Sequence, residues 1–411
     1  MVLARAPRVQ SVDLLRGIVM VIMALDHVRD FMSHLHFPPE DLQQTNAALF
    51  FTRWITHFCA PSFFFLAGTG IYLMARSKIP AVMTSFLWKR GLWLIVLEAT
   101  IIFWGWTFLF PIMPSLGLLV IWALGWAMIW MALFVRLPWK VTAALALIAI
   151  FGHNLLDGIP AAAFGKAAPI WGILHVSGFF PIGNIQLGPN FRLGVFVLYP
   201  WIPWVAVTAA GYTLGRIYDW DAARRRRFLL TVGAAATVLF IVLRATNLSG
   251  NAQTGIGVAS GPFVVQPTLA KTIIAFLNVE KYPPSLQFLL MTLGPALVFL
   301  GLIDGIDLRA RSIGTAVGRF FQVFGKVPMF YYILHLYLAH IIAIVSALAV
   351  GQNPHHLYRG GFMMGFPQGP FGFNLPAIYL AWAICVGILY FPCRWYAEYK
   401  ATHKQWWLSY L

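Results

Sequence analysis

Charged residues are scarce in this chain of 411 residues: only 10% are Asp, Glu, Lys or Arg, while 60% are hydrophobic. Acidic residues are rarest, with 13 Asp and Glu against 29 Lys and Arg. A soluble domain cannot bury that much apolar surface, so the composition predicts a polytopic membrane protein. No soluble domain, low-complexity linker or internal repeat is recognisable, and we predict one integral-membrane domain over residues 1–411.

Several common functional signatures are also missing. The three cysteines, Cys59, Cys385 and Cys393, lie in apolar segments without metal-ligand spacing, so neither a disulfide framework nor a metal site is predicted. The motifs G-x-S-x-G, H-E-x-x-H and the P-loop are absent, which leaves serine hydrolase, zincin and ATPase functions without support. The first apolar run contains Asp13 and Arg16 and has no small-residue cleavage pattern, so we expect no signal peptide.

Apolar runs long enough to cross roughly 30 Å of hydrocarbon occur ten times along the chain. They cover approximately residues 11–34, 47–75, 84–110, 116–135, 141–156, 194–215, 227–245, 285–303, 327–350 and 375–393. The predicted fold class is therefore all-α, a membrane helical bundle with about ten transmembrane helices. Two long connections, residues 157–193 and 246–284, are rich in aromatic residues and are predicted to form packed caps around a substrate mouth.

Lys and Arg are distributed unevenly between the two sides of this bundle. Alternate connections hold 21 of the 29 basic residues on the side of both termini and 8 on the other side. The eight are Arg29, Arg53, Lys166, Arg192, Arg244, Lys271, Lys281 and Arg359. The positive-inside rule then predicts that both termini are cytoplasmic. We predict that the protein is located in the cell inner membrane. The same distribution accounts for the net charge of +16 without a nucleic-acid partner.

The first apolar run, SVDLLRGIVMVIMALDHVRDFMSH, ends with charged groups that hydrocarbon should exclude. Asp26, His27, Arg29 and Asp30 would lie in the outer half of the span, and such residues usually mark a functional site. The helical repeat lets His27 meet Asp30 three residues later, so a carboxylate can orient an imidazole that acts as a general base. The alternative is that the helix ends near residue 25 and these residues form a solvated flank.

Other polar residues fall in the outer halves of two further spans. Arg53 and His57 are four residues apart on one helical face. His335 and His340 are five apart and diverge by roughly 140°, so they should not serve one ligand set. An arginine or a second histidine can stabilise an oxyanion. The alternative for His335 and His340 is a structural role, in which each is a core histidine hydrogen-bonded to a carbonyl group. The candidate catalytic residues are Asp26, His27, Asp30, Arg53, His57 and His335.

Four spaced motifs carry a family resemblance. The pattern R-x4-D-x2-RG with a histidine ten residues later, here Arg8, Asp13, Arg16, Gly17 and His27, resembles the start of the transmembrane acyltransferase superfamily. The segments RWITHFCAPSFFFLAGTG, KYPPSLQFLLMTLGP and GKVPMFYYILHLYLAH resemble the DUF1624 branch, which is related to the catalytic domain of heparan-alpha-glucosaminide N-acetyltransferase.

This resemblance implies a transferase that moves an acyl group, such as acetyl, from cytoplasmic acyl-CoA to an amine or hydroxyl of an outer acceptor such as a glycan. It makes His27 the catalytic histidine, with acyl-CoA as co-substrate and no metal. Arg16, Arg319 and Lys326 are the basic residues expected to bind the phosphates of CoA at the cytoplasmic side. A homodimer is left open.

Two other functions remain open from the sequence. A proton-coupled transporter or flippase would use intramembrane Asp and His residues as a proton relay. A haem protein would use bis-histidine ligation, pairing His27 or His57 with His335 or His340.

Overall fold

The computed structural model describes residues 9–108, 116–188, 191–248, 260–308, 310, 312–358 and 371–410. Arg8 of the family motif, and Arg309, Arg311 and Arg359 of the charge distribution, lie outside this part of the chain. The helices of the described residues are α1 Gln10–Met32, α2 Ala47–Trp54, α3 Cys59–Ala75, α4 Pro80–Leu97, α5 Phe103–Thr107, α6 Val120–Phe134, α7 Trp139–Gly152, α8 Ala168–Leu174, α9 Trp201–Leu214, α10 Ala222–Thr246, α11 Leu269–Leu277, α12 Leu286–Leu302, α13 Ile313–Lys326, α14 Pro328–Ala349, α15 His355–Tyr358 and α16 Leu375–Thr402.

Each of the ten predicted apolar runs overlaps at least one of these helices. Five helical stretches of the described chain are long and apolar enough to cross a bilayer by themselves. They are Ala47–Ala75, Trp139–Leu156, Ala222–Thr246, Pro328–Ala349 and Leu375–Thr402. The mainly helical fold is therefore confirmed, whereas the count of ten spans and the cytoplasmic termini stay predictions.

A three-stranded sheet corrects the all-α prediction. Strands β1 Leu116–Leu118, β2 Gly178–Gly188 and β3 Phe191–Val197 are ordered β1-β3-β2, with β1 parallel and β2 antiparallel to β3. The run 194–215 was predicted to be helical throughout, but its helix begins only at Trp201. Two reasons apply: a short apolar run has no period that separates strand from helix, and Pro200 disfavours helical backbone at the residue before it.

The described residues divide into two compact units. The terminal unit comprises the described parts of Arg8–Cys59, Thr100–Met113 and Gly305–Leu411, and in it α1 packs against α13, α14 and α16. The central unit comprises the described parts of Ala60–Ala99 and Pro114–Asp304, where α10 packs on α12, α4 on α6, and α7 on α9. A single domain over residues 1–411 stays a prediction.

Helices α1 and α13 of the terminal unit touch through their backbones. A Cβ added to Gly17 would lie 1.9 Å from the carbonyl oxygen of Phe321, and one added to Gly325 would lie 1.8 Å from that of Asp13. Small residues allow membrane helices to approach this closely. The contact also brings the predicted cytoplasmic end of α1 beside the end of α13.

The predicted topology can be tested at Gly183 in β2. This glycine has a positive φ of 63° and open space where a side chain would point, so an insertion should be tolerated. We expect alkaline phosphatase inserted there to be active, because residues 157–193 are predicted to be external, while the same reporter at the carboxyl terminus should be inactive. A cytoplasmic reporter that is active at Gly183 would overturn this topology.

Candidate functional site

The charged segment at the end of α1 is helical and buried. Helix α1 continues to Met32, and Asp26, His27 and Arg29 are all less than 9% exposed. The alternative of a helix that ends near residue 25 with a solvated flank is therefore wrong. Because desolvating charges is costly, the segment needs compensating partners inside the terminal unit.

Those partners form a network of ion pairs around Arg53. Its Nη1 lies 2.5 Å from Oδ2 of Asp26, and its Nε lies 2.7 Å from Oε1 of Glu40. Arg29 Nη2 lies 2.9 Å from Oδ1 of Asp26 and 2.5 Å from Oδ1 of Asp30. Two guanidinium groups thus contact three carboxylates in a partly buried site, where such contacts are stronger than at a surface.

Glu40, in the connection between α1 and α2, is a site residue that the sequence did not reveal. Burial alone would raise the pKa of Glu40, but the electrostatic influence of Arg53, His57 and Arg29 outweighs it and holds this pKa well below 4.5. His57 Nε2 lies 3.6 Å from Oε1 of Glu40. Arg53 and His57 are therefore joined through one carboxylate, as their four-residue spacing allows.

His27 is hydrogen-bonded to a second histidine from α14. Nδ1 of His27 lies 2.7 Å from Nε2 of His335, and Nδ1 of His335 lies 3.0 Å from the carbonyl oxygen of Tyr331. The side chain of His335 is fully buried. Residues 308 positions apart in the sequence therefore meet at one point of the terminal unit.

These contacts decide which nitrogen of each neutral ring carries the proton. A carbonyl oxygen only accepts hydrogen bonds, so Nδ1 of His335 donates to Tyr331 and Nε2 of His335 is an acceptor. Nδ1 of His27 must then donate to His335. We therefore assign the basic lone pair of neutral His27 to its Nε2 atom.

Aromatic side chains enclose this histidine pair. The indole of Trp106 meets the ring of His27 edge to face at 4.6 Å, and Tyr332 lies 6.3 Å from the same ring. His340, one and a half turns further along α14, instead lies 2.9 Å from the carbonyl oxygens of both Gly105 and Leu357. This geometry agrees with the inference that His335 and His340 do not serve one ligand set.

The carboxylates predicted to orient His27 also take part in ion pairs. Asp26 and Asp30 lie within ion-pair distance of Arg29, while the ring of His27 contacts His335, so the orienting role of the carboxylates stays a prediction. The reason for the ion pairs is electrostatic, because Arg29 lies within reach of both carboxylates on the same helix and a guanidinium binds a carboxylate more strongly than a neutral imidazole does.

The three predicted CoA-binding residues lie in the terminal unit on α1 and α13. Arg16 Nη1 is 3.1 Å from Oδ1 of Asp13 and 3.4 Å from the carbonyl oxygen of Gly325. Arg319 Nη1 donates to the carbonyl oxygen of Leu308 at 2.9 Å, and Lys326 is the last residue of α13. Arg16 and Arg319 thus also have structural contacts, and their binding of CoA stays a prediction.

The direct contact between His27 and His335 argues against one of the haem pairings. Two axial histidine nitrogens on opposite faces of a haem iron, each bonded at about 2 Å, would lie about 4 Å apart, whereas Nδ1 of His27 and Nε2 of His335 are 2.7 Å apart. Both nitrogens of His340 face carbonyl oxygens. Within the described residues, no group of three or more His, Cys, Asp or Glu side chains is arranged to hold a metal ion.

Comparison with known families agrees with the resemblance. A family model described as heparan-alpha-glucosaminide N-acetyltransferase, catalytic, matches residues 8–248, which is more than half of the chain. The match includes Asp26, His27, Arg53 and His57 and ends before His335. No curated protein sequence gave a match. The chain therefore belongs to the heparan-alpha-glucosaminide N-acetyltransferase catalytic family, a family of membrane acetyltransferases.

Proposed function

We propose that the protein transfers an acyl group, in the simplest case acetyl, from cytoplasmic acyl-CoA to an amine or hydroxyl of a glycan on the outer side of the membrane. The observation that carries this proposal is the His27–His335 pair, in which the tautomer of His27 is fixed by contacts that continue to a backbone carbonyl. Family membership supports the reaction class.

In this proposal His27 acts as the general base. Its Nε2 takes the proton of the acceptor, and the acceptor's electron pair attacks the thioester carbonyl carbon. The carbon–sulfur bond then breaks, and the CoA thiolate leaves and takes up a proton. His335 is a positioning residue, because it contacts His27 through Nδ1 and holds the imidazole plane during the transfer.

Arg53 and His57 are the groups proposed to stabilise the negative charge that develops on the thioester oxygen. Arg53 is fixed between Asp26 and Glu40, and His57 is held close to Glu40, so neither side chain needs to reorganise during the reaction. Preorganised cations of this kind stabilise a transition state without an entropic cost at the moment of reaction.

The CoA phosphates are expected to bind Arg16, Arg319 and Lys326. We expect charge reversal at these three positions to weaken CoA binding by at least tenfold in calorimetry, since each phosphate contact is charge-assisted. Arg394→Glu is the matched control, because Arg394 is exposed and pairs with Glu398, one turn further along the same helix, at 3.0 Å. Unchanged affinity in the triple variant would remove these residues from the CoA site.

The proposed function is tested by two complementary measurements. Purified protein supplied with acetyl-CoA and D-glucosamine should release free CoA thiol and form N-acetylglucosamine in equal amounts. Mass spectra of envelope glycans from deletion and wild-type cells should differ by acyl groups. A transporter or flippase would instead move an unmodified substrate and release no thiol, which would contradict the proposal.

A further inference from the structure

A second buried pair of a histidine and a carboxylate lies in the central unit, where the turn after α7, the end of α8 and the start of α12 meet. His175 Nε2 lies 2.9 Å from Oδ1 of Asp157, and Asn154 Nδ2 donates to Oδ2 of the same carboxylate at 2.7 Å. The proposed reaction has so far used none of these residues, and no sequence motif singled them out.

The hydrogen bonds around this pair fix its protonation pattern. The backbone N–H of Leu286 donates to Oδ1 of Asn154 at 2.8 Å, so the amide nitrogen of Asn154 must face Asp157. A carboxylate only accepts, and therefore Nε2 of His175 carries a proton. The lone pair of neutral His175 then lies on Nδ1.

This Nδ1 atom is buried and has no hydrogen-bond partner within the described part of the chain. The His175 side chain is only 1% exposed. Buried polar atoms in folded proteins are nearly always hydrogen-bonded, so Nδ1 is an acceptor open to a donor from a ligand or a water molecule. The neighbouring His153 differs, because its two nitrogens lie 2.9 Å and 2.8 Å from the carbonyl oxygens of Ile150 and Pro284.

The charges around the Asp157–His175 pair indicate which kind of hydrogen-bond donor it binds. Among the ion pairs of the described residues, Asp157 has no arginine or lysine partner, in contrast to Asp26 with its two guanidinium groups. The titratable groups next to His175 are Asp157 and His153, whose ring centroid is 6.3 Å away. A largely buried carboxylate that no guanidinium or ammonium group of the described residues pairs with favours a cationic donor over a neutral hydroxyl.

We propose that the Asp157–His175 pair binds the ammonium group of an amine ligand and takes its proton through Nδ1 of His175. One N–H bond of the ammonium breaks, its electron pair stays on the amine nitrogen, and a new N–H bond forms on Nδ1. The resulting imidazolium is paired with Asp157. The inference rests on the proposed function, because only the free amine has the electron pair that an acyl transfer needs.

The direct test is nitrogen NMR of the full-length protein in nanodiscs with ¹⁵N-labelled histidine, using D-glucosamine as the probe. His175→Gln keeps a donor toward Asp157, removes the Nδ1 acceptor and identifies the resonance. We expect neutral His175 to be protonated on Nε2, and its Nδ1 resonance to shift with D-glucosamine but not with D-glucose. A ring protonated on Nδ1, or an Nδ1 resonance that saturating D-glucosamine does not move, would overturn the proposal.

Kinetics provides an independent readout. His175→Gln should raise the KM for D-glucosamine by about 10- to 100-fold near neutral pH. The defect should shrink at alkaline pH, where the free amine forms without help. A defect that is the same at every pH would contradict the proposal. If wild-type protein releases no CoA thiol at all, the acyl transfer itself fails, and the NMR result still decides the role of His175.

Discussion

Replacing His27 with asparagine is expected to lower acyl-CoA turnover by about 10² to 10⁴-fold while the protein still folds, since proton transfer by a positioned base typically contributes that factor. The asparagine amide occupies the position of Nδ1, so it can still donate to Nε2 of His335. It has no group at the position of Nε2, to which we assign the basic lone pair. The measurement is thiol release from acetyl-CoA, together with size-exclusion chromatography to confirm folding.

Three histidine variants serve as comparisons in that experiment. His27→Gln should be equally inactive, and it should also be less stable because its amide lies further from His335. His340→Gln is the matched control on the same helix as His335, because both its nitrogens face carbonyl oxygens and its loss should affect stability rather than chemistry. If His27→Asn retained near-normal turnover while His57→Gln abolished it, the base would be assigned wrongly.

Replacing Arg53 with leucine is expected to have the second large effect, a loss of folding stability. This change leaves the buried Asp26 and the partly buried Glu40 without the guanidinium that contacts both. Removing one partner of a buried ion pair typically costs about 3–5 kcal/mol. Thermal unfolding in detergent should show the loss, and Arg394→Leu, which breaks an exposed pair, should change stability by about 1 kcal/mol or less.

A rescue variant and the pH dependence of stability distinguish this electrostatic cause from a simple loss of packing. Adding Glu40→Gln and Asp26→Asn to Arg53→Leu should recover most of the stability, because no uncompensated charge remains. In the wild type the pKa of Glu40 is lowered, so its contribution is complete above pH 4.5 and is lost only as the pH falls further. Without Arg53 the pKa of this buried carboxyl should rise, and the deficit of Arg53→Leu should shrink in acid. A deficit that neither acid nor the added substitutions reduce would point to packing instead.

The sequence predicted the helical elements well where an apolar run was long. The run 47–75 coincides with a continuous helical stretch, Ala47–Ala75, and α14 lies within one residue of the predicted run at both ends. The prediction was wrong for β1 and β3, because strands of three and seven residues that overlap the starts of apolar runs leave no distinguishing period. Pro200 was the local signal that could have shifted the predicted start of α9 from residue 194 to Trp201, where this helix begins.

Site residues were predictable when an unusual residue type appeared in an apolar helix, and their partners were not. His27, His335 and Arg53 stood out because polar groups are rare in such segments. The pairing of His27 with His335 joins α1 to α14, and no local spacing encodes a contact between distant helices. Glu40, Asp157 and His175 were missed because they lie in or next to connections, where charged and polar residues are common and carry little information by themselves.

The most direct test of acyl transfer across the membrane uses proteoliposomes that contain the protein, with [¹³C-acetyl]-CoA on the side of the termini and D-glucosamine on the opposite side. We predict that N-[¹³C]acetylglucosamine accumulates in the glucosamine compartment in step with CoA thiol release on the other side. The rate should fall about 10² to 10⁴-fold with His27→Asn. Labelled product that forms only on the side of the acetyl-CoA, or a rate that His27→Asn does not change, would contradict the account.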